Sequence, residues 1–192
     1  DRQSGALHAR PIAVGPDGTV YQIGGIFGTS TLHLVRSADA KNPGSWPTFV
    51  SRSVALGGSL VFSTPPNPDG LCGQPWVAVN HAPGPLFNQV YVLCSIKPAG
   101  EDPMDIHFVR SVNGGDTWTS PVRVNDDVAG SLNTQWFGTM SVAPNGRIDA
   151  VWIDTRDTGG VYFGRLYYSY SLNGGSTWSP NEPITPLFDA SI

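Results

Sequence analysis

Apolar and polar residues alternate with a period of about two over several short stretches, the spacing that half-buries a β-strand. Asp105-Ile106-His107-Phe108-Val109-Arg110 and Arg165-Leu166-Tyr167-Tyr168-Ser169-Tyr170 are two such runs. Others come in pairs joined by turn residues. Ile12-Ala13-Val14 leads through Pro16-Asp17-Gly18 to Thr19-Val20-Tyr21, and Met140-Ser141-Val142 leads through Pro144-Asn145-Gly146 to Ile148-Asp149-Ala150-Val151-Trp152. Asp-Gly and Asn-Gly tolerate the positive φ of a tight turn, so each pair predicts an antiparallel hairpin. Val77-Ala78-Val79 and Val90-Tyr91-Val92 form a further pair across a longer loop.

These runs recur in a fixed order. Ser111-Val112-Asn113-Gly114-Gly115-Asp116-Thr117-Trp118 returns 60 residues later as Ser171-Leu172-Asn173-Gly174-Gly175-Ser176-Thr177-Trp178, identical at six of eight positions. Thr31-Leu32-His33-Leu34-Val35-Arg36-Ser37-Ala38-Asp39 opens in the same way and reaches Trp46 after two additional residues, a degenerate third copy. Each unit predicts four strands. The hairpin supplies two, the run before the serine supplies the third, and the stretch after the tryptophan (Pro121-Val122-Arg123-Val124; Glu182-Pro183-Ile184) supplies the fourth. Four-stranded antiparallel units repeated along a chain build a β-propeller, in which each blade buries its faces against its neighbours. The expected fold is all-β, with blades at 10–55, 75–125 and 138–186 and a connector at 187–192 leading toward a further blade.

Composition supports this reading and narrows the function. The chain has 23 glycines and 17 prolines, and only 14% of its residues are charged. Gly and Pro are the poorest residues in a helix interior, while Lys and Glu, which usually clothe a helix, number two each (Lys41, Lys97; Glu101, Glu182). The net charge of −4, without any cluster of Lys and Arg, argues against a nucleic-acid partner. No apolar run is long enough to span a bilayer. Asp1-Arg2-Gln3-Ser4 does not read as a signal peptide, so a secretory signal would already have been removed. Scarce Lys and Glu beside abundant Ser, Thr, Gly and aromatic residues fit an exported protein: secreted, periplasmic or at the cell surface. Cys72 and Cys94 are too few for a disulfide scaffold and lack metal-ligand spacing; they either bridge one another or remain as two buried thiols.

The repeated octapeptide resembles the Asp-box, or bacterial neuraminidase repeat, Ser-x-Asp-x-Gly-x-Thr-Trp, and the hairpins around it are similar to those of sialidase-like propellers. In this chain the matching positions are Ser111, Asn113, Gly115, Thr117 and Trp118, and Ser171, Asn173, Gly175, Thr177 and Trp178. Asn113 and Asn173 stand where the family has Asp. Asn holds the same turn, because its short side chain also accepts backbone hydrogen bonds. The resemblance implies a structural job for the box, on the outside of the propeller and away from any site. It also implies a ring of about six blades, of which this chain supplies about three. The missing blades then come from the rest of a longer chain or from a second copy.

Sialidase-like chemistry needs three arginines for a substrate carboxylate, an acidic proton donor, and a tyrosine nucleophile with a glutamate base. Arginine suits the first task because it binds carboxylate bidentately and stays charged. Arg10-Pro11-Ile12 is similar to the family's Arg-Ile-Pro with the order altered. Asp154, Arg156 and Asp157 follow the second strand of the third unit, where loops line a propeller's funnel, and form the ligand-facing candidate cluster; a salt-bridged turn is the competing reading. Arg10, Asp154 and Arg156 are also the weak catalytic candidates. Tyr167, Tyr168 and Tyr170 read as packing residues on a strand, and neither Glu101 nor Glu182 is placed as a buried base. His33 and His107 occupy equivalent repeat positions, which favours packing over catalysis. Arg36 and Arg110 are likewise equivalent and read as supports for the turn. No metal site, nucleophile elbow or phosphate loop is present in the sequence, and no cofactor is expected.

The sequence reading is therefore an exported propeller module that binds a glycan or protein, without a complete catalytic set in this chain. Part of an exo-sialidase-like glycoside hydrolase and a repeat scaffold of a large surface protein are the alternatives.

Overall fold

The computed structural model describes residues 7–8, 11–26, 31–61, 72–160 and 162–190, so Arg10 lies outside the described residues. Fifteen strands and no helix make up these segments, arranged as three antiparallel sheets. The first holds β1 (Leu7–His8), β2 (Ile12–Val14), β3 (Val20–Ile26), β4 (Leu32–Ser37) and β5 (Val50–Val54). The second holds β6 (Gly58–Ser59), β7 (Trp76–Val79), β8 (Val90–Pro98), β9 (Asp105–Ser111) and β10 (Val122–Arg123). The third holds β11 (Gln135–Val142), β12 (Ile148–Asp154), β13 (Phe163–Ser171), β14 (Glu182–Pro183) and β15 (Phe188–Asp189).

Each sheet is four strands across. Its fifth, short strand shares an edge with another: β1 and β2 both pair with β3, β6 and β7 with β8, and β14 and β15 with β13. Neighbours in space are neighbours in sequence, as in propeller blades. Among the described residues there is no helix long and apolar enough to cross a membrane.

Alternation explains how the blades stack. Along β8, Val90, Val92, Cys94 and Ile96 enter a core shared with Tyr21, Ile23, Leu32 and Leu34 of the first blade. The intervening Tyr91 and Leu93 point the other way, into a core with Met140, Ile148, Ala150 and Trp152 of the third. The middle blade is thus buried on both faces, which is why β8 reads as an almost continuous apolar run.

The two repeated turns close alike. Ser111 Oγ donates to Asn113 Oδ1 (2.9 Å), which also accepts from Thr117 N (2.9 Å); Ser171, Asn173 and Thr177 repeat this at 3.0 and 3.0 Å. The degenerate copy is built on the same bonds but in a different register. Ser37 Oγ donates to Asp39 Oδ1 (2.6 Å), and the amide that closes the turn is that of Thr48 (2.9 Å). Trp46 is therefore a loop residue, 96% exposed, whereas Trp118 and Trp178 pack onto the two inter-blade cores.

Candidate functional site

Strand direction sorts the loops to two ends. The hairpin turns 15–19, 80–89 and 143–147 share one end with the octapeptide turns, while the 99–104, 124–134 and 155–160 loops lie at the other. The expected ligand cluster falls at this second end, where β12 finishes and β13 begins.

Asp154 is fully buried there. Its carboxylate accepts from Trp152 Nε1 (3.0 Å), Gln135 Nε2 (3.2 Å), the Arg156 amide (2.9 Å), and Arg156 Nε and Nη2 (3.0 and 2.8 Å). Asp154 is an internal anchor for Arg156. The guanidinium then reaches outward: Nη1 donates to Asp126 Oδ1 (2.6 Å) and Nη2 to Asn181 Oδ1 (3.0 Å), and its plane lies 4.4 Å from the centre of the Tyr167 ring. Burial alone would lower its pKa, but the hydrogen bond and charge of Asp154, the hydrogen bond to Asp126 and the charge of Asp127 hold it above the ordinary arginine value. Four of its five N–H groups are committed within the protein, which leaves one for a ligand.

Asp157 forms a second set. It accepts from Tyr167 Oη (2.9 Å) and pairs with Arg165 Nε (3.0 Å). A tyrosine hydrogen-bonded to a carboxylate has the composition of a nucleophile with its base. Here burial, together with the hydrogen bond and charge of Asp157, pushes Tyr167 up to about 12, so it is not activated. At the start of β13, Tyr162 and Phe163 are half-exposed.

The neighbouring loop supplies partners that the sequence reading missed. Asp127 accepts from Arg123 Nη2 (2.9 Å), Asn125 Nδ2 (2.8 Å), Ser131 Oγ (2.9 Å) and Gln135 Nε2 (3.3 Å). Asp126 and Asn181 exchange backbone-to-side-chain bonds of 2.7 and 2.9 Å across the two blades. The dense polar run Arg123 to Asp127 directly after a strand was the available signal.

The remaining candidates are placed as follows. Cys72 and Cys94 are two buried thiols, and they belong to different cores, so the bridge is not formed. Burial pushes the Cys94 thiol well above its ordinary pKa. His107 donates from Nδ1 to the Leu56 carbonyl (2.7 Å), and burial lowers its pKa. His81 donates from Nε2 to the Val14 carbonyl (2.9 Å). Among the described residues no three His, Cys, Asp or Glu side chains converge as a metal-ligand set.

No protein-family model matches this chain, and no curated protein matches it significantly. Solved structures do. The GH93 α-L-arabinofuranosidase of Fusarium graminearum, in complex with arabinobiose, superposes with a TM-score of 0.63 at 16% identity over 96% of this chain and 50% of its own. The α-L-arabinanase of Penicillium chrysogenum, also with arabinobiose, gives 0.62 at 17% identity over 94% of this chain and 49% of its own. A Hadza microbial sialidase gives 0.55 at 14% identity over 90% of this chain and 36% of its own. The chain spans about half the length of the first two. At these identities the likeness is one of fold, a β-propeller of antiparallel blades.

Proposed function

We propose that this chain is part of an exported propeller that binds a glycan at the end carrying loops 124–134 and 155–160, holding the ligand without a complete catalytic set of its own. The observation that carries the reading is that the half-exposed Tyr162 and Phe163 belong to the same β12–β13 connection and strand start as Arg156 and Asp157, at the end where Arg156 reaches Asp126. A sugar ring has apolar C–H faces and hydroxyl edges, so aromatic surface beside fixed donors and acceptors suits it. In this reading Arg156 and Asp157 face the ligand and Asp154 holds Arg156 in place. The arabinobiose complexes of two structures of the same fold support a glycan over a protein ligand. The low Lys and Glu content supports export.

Hydrolysis is the second reading, favoured by one observation: the Tyr167 hydroxyl lies 2.9 Å from an Asp157 carboxylate oxygen. Calorimetric titration of the protein with arabinobiose and with sialyllactose, run beside a product assay, separates the two. Saturable binding without product, weakened by Tyr162→Ala or Asp157→Asn, is the expected result. Turnover abolished by Tyr167→Phe would replace it with the hydrolase reading, and no binding of either sugar would overturn the glycan assignment.

A further inference from the structure

We infer that a second pocket, between the first two blades at the hairpin end, binds an uncharged saccharide. It lies at the opposite end from the cluster above and does not depend on that reading.

The repeat itself singles out this place. The first hairpins of blades one and three turn through five residues, 15–19 and 143–147, whereas the middle blade uses ten, 80–89. An insertion confined to one repeat is where such folds carry binding groups. This one is rigid. Asn80 and the 88–89 segment exchange backbone bonds of 2.8 and 3.0 Å, Asn80 Oδ1 accepts from Ala82 N (2.8 Å), Asn80 Nδ2 donates to Tyr91 Oη (3.1 Å), and Gln89 Nε2 donates to the Pro85 carbonyl (3.1 Å). Asn88 turns the chain at a φ of 60°, in the left-handed region that Asn tolerates.

The insertion delivers Phe87 and Asn88 to a cavity of about 500 Å³ whose other walls include Asp17, Arg36 and Val112. That volume is in the range of small-ligand sites. The Phe87 ring is 50% exposed, and Val112 adds further apolar surface. Polar groups stand beside them: the Asp17 carboxylate accepts from Thr19 N (2.9 Å) and Asn88 Nδ2 (3.4 Å), which leaves oxygen lone pairs on Asp17 and one amide hydrogen on Asn88. Aromatic surface, a carboxylate acceptor and an amide donor around one cavity match a sugar's C–H face and vicinal hydroxyls.

Charge decides the class of sugar. Both terminal nitrogens of Arg36 are taken, Nη1 by the Asn113 and Gly114 carbonyls and Nη2 by Asp116, so the forked contact a guanidinium makes with an anion is already used. Of the residues lining the cavity Arg36 and Asp17 carry charge, one of each sign, and the two cancel. A neutral ligand is the one this balance admits.

The test is an amide-resolved NMR titration of the 192-residue chain with D-galactose, L-arabinose and D-glucose, with N-acetylneuraminic acid and glucosamine as charged counterparts. At least one neutral sugar should saturate with a Kd of about 1–10 mM. Shifts should centre on the amides of 15–21, 84–89 and 112–114. Phe87→Ala and Asp17→Asn should each weaken binding about fivefold or more, with urea midpoints close to the parent. Tyr162→Ala, at the far end, should leave these shifts intact. Absence of saturation by every neutral sugar at about 100 mM would overturn the proposal, as would unchanged affinity in both variants or tighter binding of a charged sugar.

Discussion

Arg36 on β4 of the first blade pairs with Asp116 in the turn of the second at 2.9 Å. The arginine that precedes one blade's turn therefore braces the next blade's turn and not its own. The relation repeats: Arg110 Nη1 donates to Asn173 O, Gly174 O and Ser176 Oγ, each at 3.3 Å. A guanidinium suits this task because carbonyls that the turn leaves unpaired need a donor that reaches across the interface. Arg110→Met should cost about 1–2 kcal/mol, the worth of such bonds after solvation is counted. A urea unfolding curve measures it, and an unchanged midpoint would show the clamp to be idle.

Gly175 illustrates how tightly the blades meet. A Cβ there would collide with the Phe108 ring of the preceding blade, and the residue sits at a φ of 80°. Gly115 repeats the arrangement over Leu34. Gly175→Ala should lose about 2–4 kcal/mol, combining overpacking with left-handed strain. Ala at Gly44, which also has positive φ but open space around its Cβ position, should lose clearly less in the same assay.

The blades were legible in the sequence because strand alternation and turn chemistry are local, and the 60-residue repeat exposes both. Trp46 misled the reading of the degenerate copy, since only the observed Asp39 to Thr48 bond reveals that its loop is longer. Arg36 and Arg110 were recognised as turn supports, but their targets lie 77 and 63 residues away, and no local pattern points there. Asp154 and Arg156 were found as a pair. Their partners Asp126, Gln135 and Asn181 come from other loops and converge only after the blades have stacked.

Arg156 should matter for folding before it matters for any ligand. Arg156→Met leaves the fully buried Asp154 carboxylate without its cationic partner, an arrangement that costs about 3–5 kcal/mol. The double variant Asp154→Asn with Arg156→Met removes the buried charge together with its partner and should recover about half of that loss. Equal losses in the single and double variants, read from urea unfolding, would show that the pair is not coupled.

Asp127 makes stability depend on acid. Burial would raise its pKa, but hydrogen bonds from Asn125 and Ser131 and the charges of Arg123 and Arg156 outweigh this and hold it below the ordinary value of 3.8. A folded-state pKa below the unfolded one means the unfolded chain binds more protons. The stabilisation is therefore complete above about pH 4 and is lost as the pH falls through the folded value. Asp127→Asn should be less stable than the parent at pH 7 and should lose less on going from pH 5 to pH 3, roughly the range in which a carboxylate titrates. Asp17, Asp39 and Asp116 are lowered too, but they are present in both proteins and cancel in the comparison. Urea midpoints measured across that range provide the check, and parallel curves for the two proteins would remove Asp127 from the acid response.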